Sequence, residues 1–169
     1  QSSARTNMVA NKEADSFKDF FENELADMRI SENKDGKTFI PSSFRALERT
    51  AENVRTISIA VFDIDQKPED DIIGLEEIED VCLDMGYEHA VYTSYSNTPD
   101  CPRFRLLIPF NQAAYPEEYP FLMSALVEDF DEFLDGRFSK VLDRCWKNEI
   151  SRCYFTFTVH PDRLNGSIS

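Results

Sequence analysis

No apolar run in this 169-residue chain approaches the ~20 residues that a membrane-spanning helix needs, so insertion into a bilayer is excluded. Histidine is nearly missing. Only His89 and His160 occur, 71 positions apart, so the His-x-His metal pair of rolling-circle nickases is absent. Basic charge is scarce too: 18 Lys+Arg stand against 32 Asp+Glu, a net charge of −14. Such a field repels phosphate at long range, which argues against nonspecific coating of nucleic acid. A short basic site that holds a nucleotide locally stays compatible with it. The four cysteines, Cys82, Cys101, Cys145 and Cys153, show no CxxC spacing, and no secretory n-region and h-region precede them. Four reduced, mostly buried thiols in a cytoplasmic protein are expected. A zinc site on Cys145, Cys153 and His160 would match no common ligand pattern. No internal repeat and no low-complexity tract is found.

What is present suits one packed domain. Hydrophobic residues make up 41% and aromatics 12%, with 14 Phe, enough for a core without a disulfide or metal staple. Residues 1–11 are polar and unpatterned and read as a flexible start, so the domain is expected over 12–163. Phe17, Phe20, Phe21, Leu25 and Met28 recur at helical spacing and predict an amphipathic helix over 12–30. A second helix is expected over Phe44 to Asn53, capped by Ser42 or Ser43. Thr56 to Phe62 (TISIAVF) is short, β-branched and apolar, the pattern of a buried central strand. A helix over Ile72 to Met85 closes at Gly86, and strands follow at His89 to Tyr95 and Arg103 to Phe110, joined as a hairpin. A long helix over Pro116 to Leu134 stops at Asp135-Gly136, the segment from Phe138 to Ile150 is ambiguous, and CYFTFTV over Cys153 to Val159 is a last strand. From Thr56 onward the order is β-α-β-β-α-β. The expected class is therefore α+β, with an RNA-recognition-like split βαβ sheet.

Two local patterns carry chemistry. VFDID at 61–65 puts Asp63 and Asp65 on one face of a strand, about 7 Å apart. Two like charges so placed repel, and a divalent cation between them, Mg²⁺ or Mn²⁺, is the natural remedy. The ordinary alternative is a solvated acidic strand end. Gln66 and Lys67 follow the pair, unlike the DxDxT of dehalogenase-type phosphatases. The second pattern is Arg103 and Arg105, which alternate onto one strand face. Forked guanidiniums so arranged suit phosphate, or else pair with nearby acids as surface salt bridges. A carboxylate pair and an arginine pair within one sheet are what nucleotidyl transfer requires.

FDID after a buried strand, then YTSYSNTPDCPRFRLLIPF, then LDRCWKNEISRCYFTF, resembles the archaeo-eukaryotic primase superfamily, and within it the primase-polymerase domains of plasmid and phage replication proteins. The likeness extends from about Lys37 to Arg163. It implies an RNA-recognition-like catalytic sheet with an N-terminal αβ unit beside it. It also implies three acids holding two Mg²⁺ or Mn²⁺ ions: Asp63, Asp65 and, as the third, Asp143. Arg152 takes the place of the basic residue that contacts the triphosphate. The family commonly has Ser-x-His where this chain reads Arg103-Phe104-Arg105, and Asn97 stands where related sequences carry a loop histidine. Arg49 is the candidate for the basic residue lining the cleft.

The resemblance thus implies a DNA-directed primase/polymerase, the catalytic domain of a larger replication protein. It would take nucleoside triphosphates and grip a single-stranded DNA template weakly. Arg103, Arg105 and Arg152 would clamp the triphosphate while the three acids hold the metals. A degenerate, inactive relative that binds a nucleotide or a partner is the main alternative. A noncatalytic RNA-binding module would need a basic face, which a charge of −14 does not offer.

Overall fold

The computed structural model describes residues 8–9, 11–34, 36–143 and 145–163; residues 1–7 and 10, most of the expected flexible start, lie outside the described residues. A short helix α1 (Phe17–Phe20), capped by Ser16 through a 3.0 Å bond from the Asp19 amide, runs into a π-helical turn at Phe21–Leu25. Strands β1 (Arg29–Ile30), β2 (Thr38–Phe39) and β3 (Ser42–Phe44) follow, then a 3₁₀ turn at Ala51–Asn53. Next come β4 (Val54–Asp65), α2 (Leu75–Met85), β5 (Ala90–Thr93), β6 (Arg103–Ala114), α3 (Tyr119–Phe133) and α4 (Phe138–Val141). Two short strands, β7 (Tyr154–Phe155) and β8 (Thr158–Val159), close the described chain.

The main sheet has the order β3-β4-β6-β5, and every pair in it is antiparallel. Because β4 and β5 both run against β6, they are parallel to each other, and α2 makes the crossover between them. The protein is thus a mixed α+β fold on an antiparallel sheet. Three expectations need correction. The first helix ends at Leu25 rather than Ile30, because the Arg29 and Ser31 amides donate to the Phe157 and Val159 carbonyls and pull this stretch into a parallel bridge with β8. The helix expected over 44–53 is replaced by β3 and the 3₁₀ turn. Pairing of Ser42 and Ser43 with Ile57 and Thr56, and a 2.7 Å bond between the Ser43 and Thr56 hydroxyls, outweighs local helical preference there. The last strand is split in two: β7 pairs with β2 and β8 with β1, and the place beside β4 is held by β3.

Strand alternation divides the core between two faces. Ala60, Phe62 and Ile64 of β4 and Phe104, Leu106 and Ile108 of β6 face the helices, where they meet Ile78, Met123, Phe130 and Phe138. Phe130 and Phe138 stack at 4.6 Å, and Phe62 meets Phe138 edge-on at 5.3 Å. Val61, Leu107, Ala90 and Tyr92 face the other way, against Leu25, Tyr154, Phe157 and Val159. Each such large side chain contributes about 1.5–3 kcal/mol when fully buried. Both faces of the sheet are therefore covered near its middle. Among the described residues, no helix is long and apolar enough to cross a membrane.

Candidate functional site

Where β4 and β6 leave the second core, the alternation continues with charge in place of hydrocarbon. The register sets Val61 opposite Leu107, Asp63 opposite Arg105 and Asp65 opposite Arg103. The two patterns singled out in the sequence therefore face each other residue for residue. Arg103 Nε lies 3.1 Å from Asp65 Oδ1 and donates to the Gln66 carbonyl at 3.1 Å. Arg105 Nε lies 3.2 Å from Asp63 Oδ1, buried and without the alignment of a hydrogen bond. The Arg105 Nη2 donates to Asp63 Oδ2 at 3.5 Å and its Nη1 to the Phe155 carbonyl at 3.0 Å.

Burial separates the two arginines. The Arg105 side chain is 8% exposed and that of Arg103 32%. Arg105 is thus no surface group. Burial opposes its charge, but the facing Tyr92 hydroxyl and the Asp63 carboxylate hold its pKa above the ordinary arginine value. The Tyr92 hydroxyl donates to the Phe155 carbonyl at 2.9 Å, and burial pushes the Tyr92 pKa up.

The third acid arrives from a distant segment. Just beyond α4, Leu142 bridges to Ile64, and the Asp143 amide donates to the Asp63 carbonyl at 3.0 Å. This lays the Asp143 carboxylate beside that of Asp63. A single nitrogen joins them: Arg152 Nη2 is 2.9 Å from Asp143 Oδ2 and 3.3 Å from Asp63 Oδ2. The hydrogen bond from Arg152 holds the Asp143 carboxyl below its ordinary pKa, against the effect of burial. Burial in turn opposes the Arg152 charge, and the bond to Asp143 outweighs it and raises its pKa. The Tyr154 ring meets two guanidiniums, 5.7 Å from that of Arg105 and 5.5 Å from that of Arg152.

Of the expected site residues, Asp63, Asp143, Arg105 and Arg152 form one cluster, and Asp65 with Arg103 extends it by one strand repeat. Asn97 is buried in the loop after β5, where its Oδ1 accepts from the Arg103 amide at 3.0 Å and fixes the start of β6. Arg49 donates from Nη1 to Cys153 Sγ at 2.8 Å, next in sequence to Arg152. Three participants escape sequence reasoning. Tyr92 and Tyr154 look like ordinary core aromatics, although a buried tyrosine hydroxyl normally signals a polar partner. Gln66 is fully buried: its Nε2 donates to the Ile73 and Pro102 carbonyls, both at 2.8 Å, and its Oε1 accepts from the Ile73 amide at 2.6 Å. It ties the end of β4 to the loop before β6.

Among the described residues, no group of three or more His, Cys, Asp or Glu stands close enough to hold a metal ion. Cys145, Cys153 and His160 do not come together as such a group. Of the three expected metal ligands, Asp63 and Asp143 meet at a single cationic nitrogen, that of Arg152. Asp65, 59% exposed, stands apart from them and faces Arg103.

The chain matches the family described as VapE N-terminal domain over residues 7–162. No curated protein and no solved structure gives a significant match.

Proposed function

The chain belongs to the VapE N-terminal domain family, and from that premise we propose that it is the nucleotidyl-transfer domain of a phage or plasmid replication protein, a DNA primase-polymerase using nucleoside triphosphates on a single-stranded template. The family's replication context supports this. The sheet is compatible with it: α2 crosses from β4 to β5 with β6 inserted between them, and an RNA-recognition-like arrangement would begin in the same way. The observation that carries the proposal is the meeting of Asp63 and Asp143. Two carboxylates 80 positions apart are brought onto one point by a dedicated backbone bond.

When bound there, Mg²⁺ or Mn²⁺ supplies Lewis-acid charge that activates a hydroxyl and neutralises a triphosphate. Asp63, Asp65 and Asp143 are the residues that would hold such ions, Asp65 only after leaving Arg103. Arg103 and Arg152 are the partly exposed guanidiniums and turn toward phosphate. Arg105 is committed to Asp63 and to the Phe155 carbonyl, so its role is to orient Asp63 rather than to clamp the triphosphate. Asn97 orients Arg103, and Arg49 lines the edge beside Arg152. Further domains of the same replication protein would complete the grip on template, and the activity would be cytoplasmic.

A second reading draws on the same geometry. Each of the three acids is ion-paired to an arginine, a neutral network that also suits a noncatalytic nucleotide-binding module. Titration of a fluorescent nucleoside triphosphate in Mg²⁺ tests the shared premise. Wild type should bind, and Asp63→Asn should bind at least about tenfold more weakly, a loss near 1.4 kcal/mol. Equal binding by both would contradict a role for Asp63 in holding the metal-nucleotide.

A further inference from the structure

We propose that the outer face of α3 is a docking site for a basic amphipathic helix of a protein partner. That helix seats its apolar residues on Phe121, Leu122 and Ala125 and its cations on Glu128 and Glu132. The ground is that α3 is apolar on two sides and the fold covers one. Tyr119, Met123, Val127 and Phe130 recur at helical spacing and are buried in the core on the helical side of the sheet. Phe121, Leu122 and Ala125 lie outside that stripe, within one turn of one another, and all three are exposed, Phe121 at 77%. Phe133, exposed as well, stands about three turns beyond Leu122 on the same ridge. Apolar side chains scattered singly over a surface need no explanation, but a helix apolar on both sides is built to be covered on both.

Charge decides the occupant. No Lys or Arg occurs in α3, and Glu128, Asp129, Asp131 and Glu132 fill its C-terminal half. Asp129 and Asp131 are engaged, accepting from the Tyr87 hydroxyl and the Ser139 amide. Glu128 and Glu132 are exposed one turn apart, and among the described residues neither has an ion-pair partner. The Tyr87 ring, just past the end of α2, meets Phe130 of α3, and α2 adds exposed Glu76, Asp80 and Asp84 with no basic residue. A second copy of this chain does not suit the face. Packing α3 on α3 would press carboxylates onto carboxylates or onto the apolar half, with no cation to pair them. Phosphates of nucleic acid or of a lipid surface are repelled. A basic helix supplies both complements, an apolar ridge and opposite charge. Docking there leaves the charged cluster open: Phe62 and Ile64 face the helices, whereas Val61 and, by alternation, Asp63 face the other way. The inference is therefore independent of nucleotidyl transfer.

The test is fluorescence anisotropy of a labelled leucine-lysine peptide of about 18 residues, patterned as about five turns of amphipathic helix, titrated with the whole chain. Wild type should bind it saturably and should not bind the leucine-glutamate counterpart. Phe121→Ser with Leu122→Ser leaves the charge unchanged and should weaken binding at least about tenfold. Glu128→Lys with Glu132→Lys should weaken it as much, while Glu13→Lys with Glu22→Lys, the same charge change around α1 on the opposite face, should leave it unchanged. Absence of saturable binding by wild type overturns the proposal. Equal binding by the serine variant overturns it too, since attraction to net charge alone would then explain the result. Loss in the serine variant with none in the α3 lysine variant overturns the choice of a basic partner. A dimer in sedimentation that the serine variant abolishes assigns the face to a second copy instead. Should the serine pair fail to fold by circular dichroism, Phe121→Gln, a change at one exposed position, takes its place in the same comparison.

Discussion

Arg103 and Arg105 differ by two positions and by one strand repeat, yet their burial gives them opposite thermodynamic weight. Removing Arg105 leaves the mostly buried Asp63 carboxylate without its nearest fixed counter-charge and the Phe155 carbonyl without a donor. Arg105→Ala should therefore cost about 3–5 kcal/mol in chemical denaturation, the range for breaking a buried pair. Arg103→Ala should cost no more than about 1 kcal/mol, because its pair with Asp65 is open to solvent. Equal costs would show that the cluster is not divided as described. Asp143 gives a pH signature. Its carboxyl is depressed by Arg152 from an ordinary value of 3.8, so its contribution to stability is present above that value. That contribution is lost as pH falls through the lower folded value. Acid unfolding of wild type should thus steepen below about pH 4, and Asp143→Asn should show a shallower dependence there. Much of this cluster is legible in the sequence, since alternation alone places Asp63 with Asp65 and Arg103 with Arg105. The cross-strand pairing is not, because it depends on a register that no local signal specifies. Tyr154 escapes in part for the same reason: one of the guanidiniums it meets, that of Arg105, lies on a strand far away in the chain.

The elements read most easily are those whose own residues determine them. Helix α2 ends at Gly86 with φ +70, and its amide caps the Cys82 and Leu83 carbonyls. No heavy atom lies within 4 Å of the place a Cβ would take. Gly86→Ala should then show backbone strain alone, about 1–2 kcal/mol, read as a melting temperature lower by a few degrees. A negligible change would mean that this cap does not hold the left-handed conformation in solution. Elements decided by distant partners are the ones misread. Ser42–Phe44 has a plausible helix cap in Ser42 or Ser43, but the Ser42 hydroxyl donates to the Ile150 carbonyl at 2.6 Å and the strand pairs with β4. CYFTFTV has strand propensity throughout. The Thr156 amide still donates to the Lys37 carbonyl in register with β2, and Thr158 and Val159 then pair with β1 instead.

Charge is distributed over the whole molecule as unevenly as apolar surface is. Between Pro68 and Gly136 there are 17 acidic residues, and the only Lys or Arg are Arg103 and Arg105. Helix α2 alone carries Glu76, Glu77, Glu79, Asp80 and Asp84 with no basic residue. The helical side of the sheet therefore repels a nucleic acid strand, and on the proposed function a template would approach from the side of the charged cluster. Single-stranded DNA should bind in the 10⁻⁴–10⁻⁶ M range, with a log–log salt slope of about 2, as for some three phosphates at roughly 0.7 each. Nanomolar affinity with a steep slope would contradict so small a number of phosphate contacts. The most direct measurement of the central claim is incorporation of a labelled nucleotide on a single-stranded template in Mn²⁺, comparing wild type with Asp143→Asn. Template-dependent product should form with wild type and fall by at least about a hundredfold in Asp143→Asn, the scale of losing one preorganised electrostatic group. Equal product from both proteins, or none from a wild type that binds Mg²⁺, would contradict nucleotidyl transfer at this site.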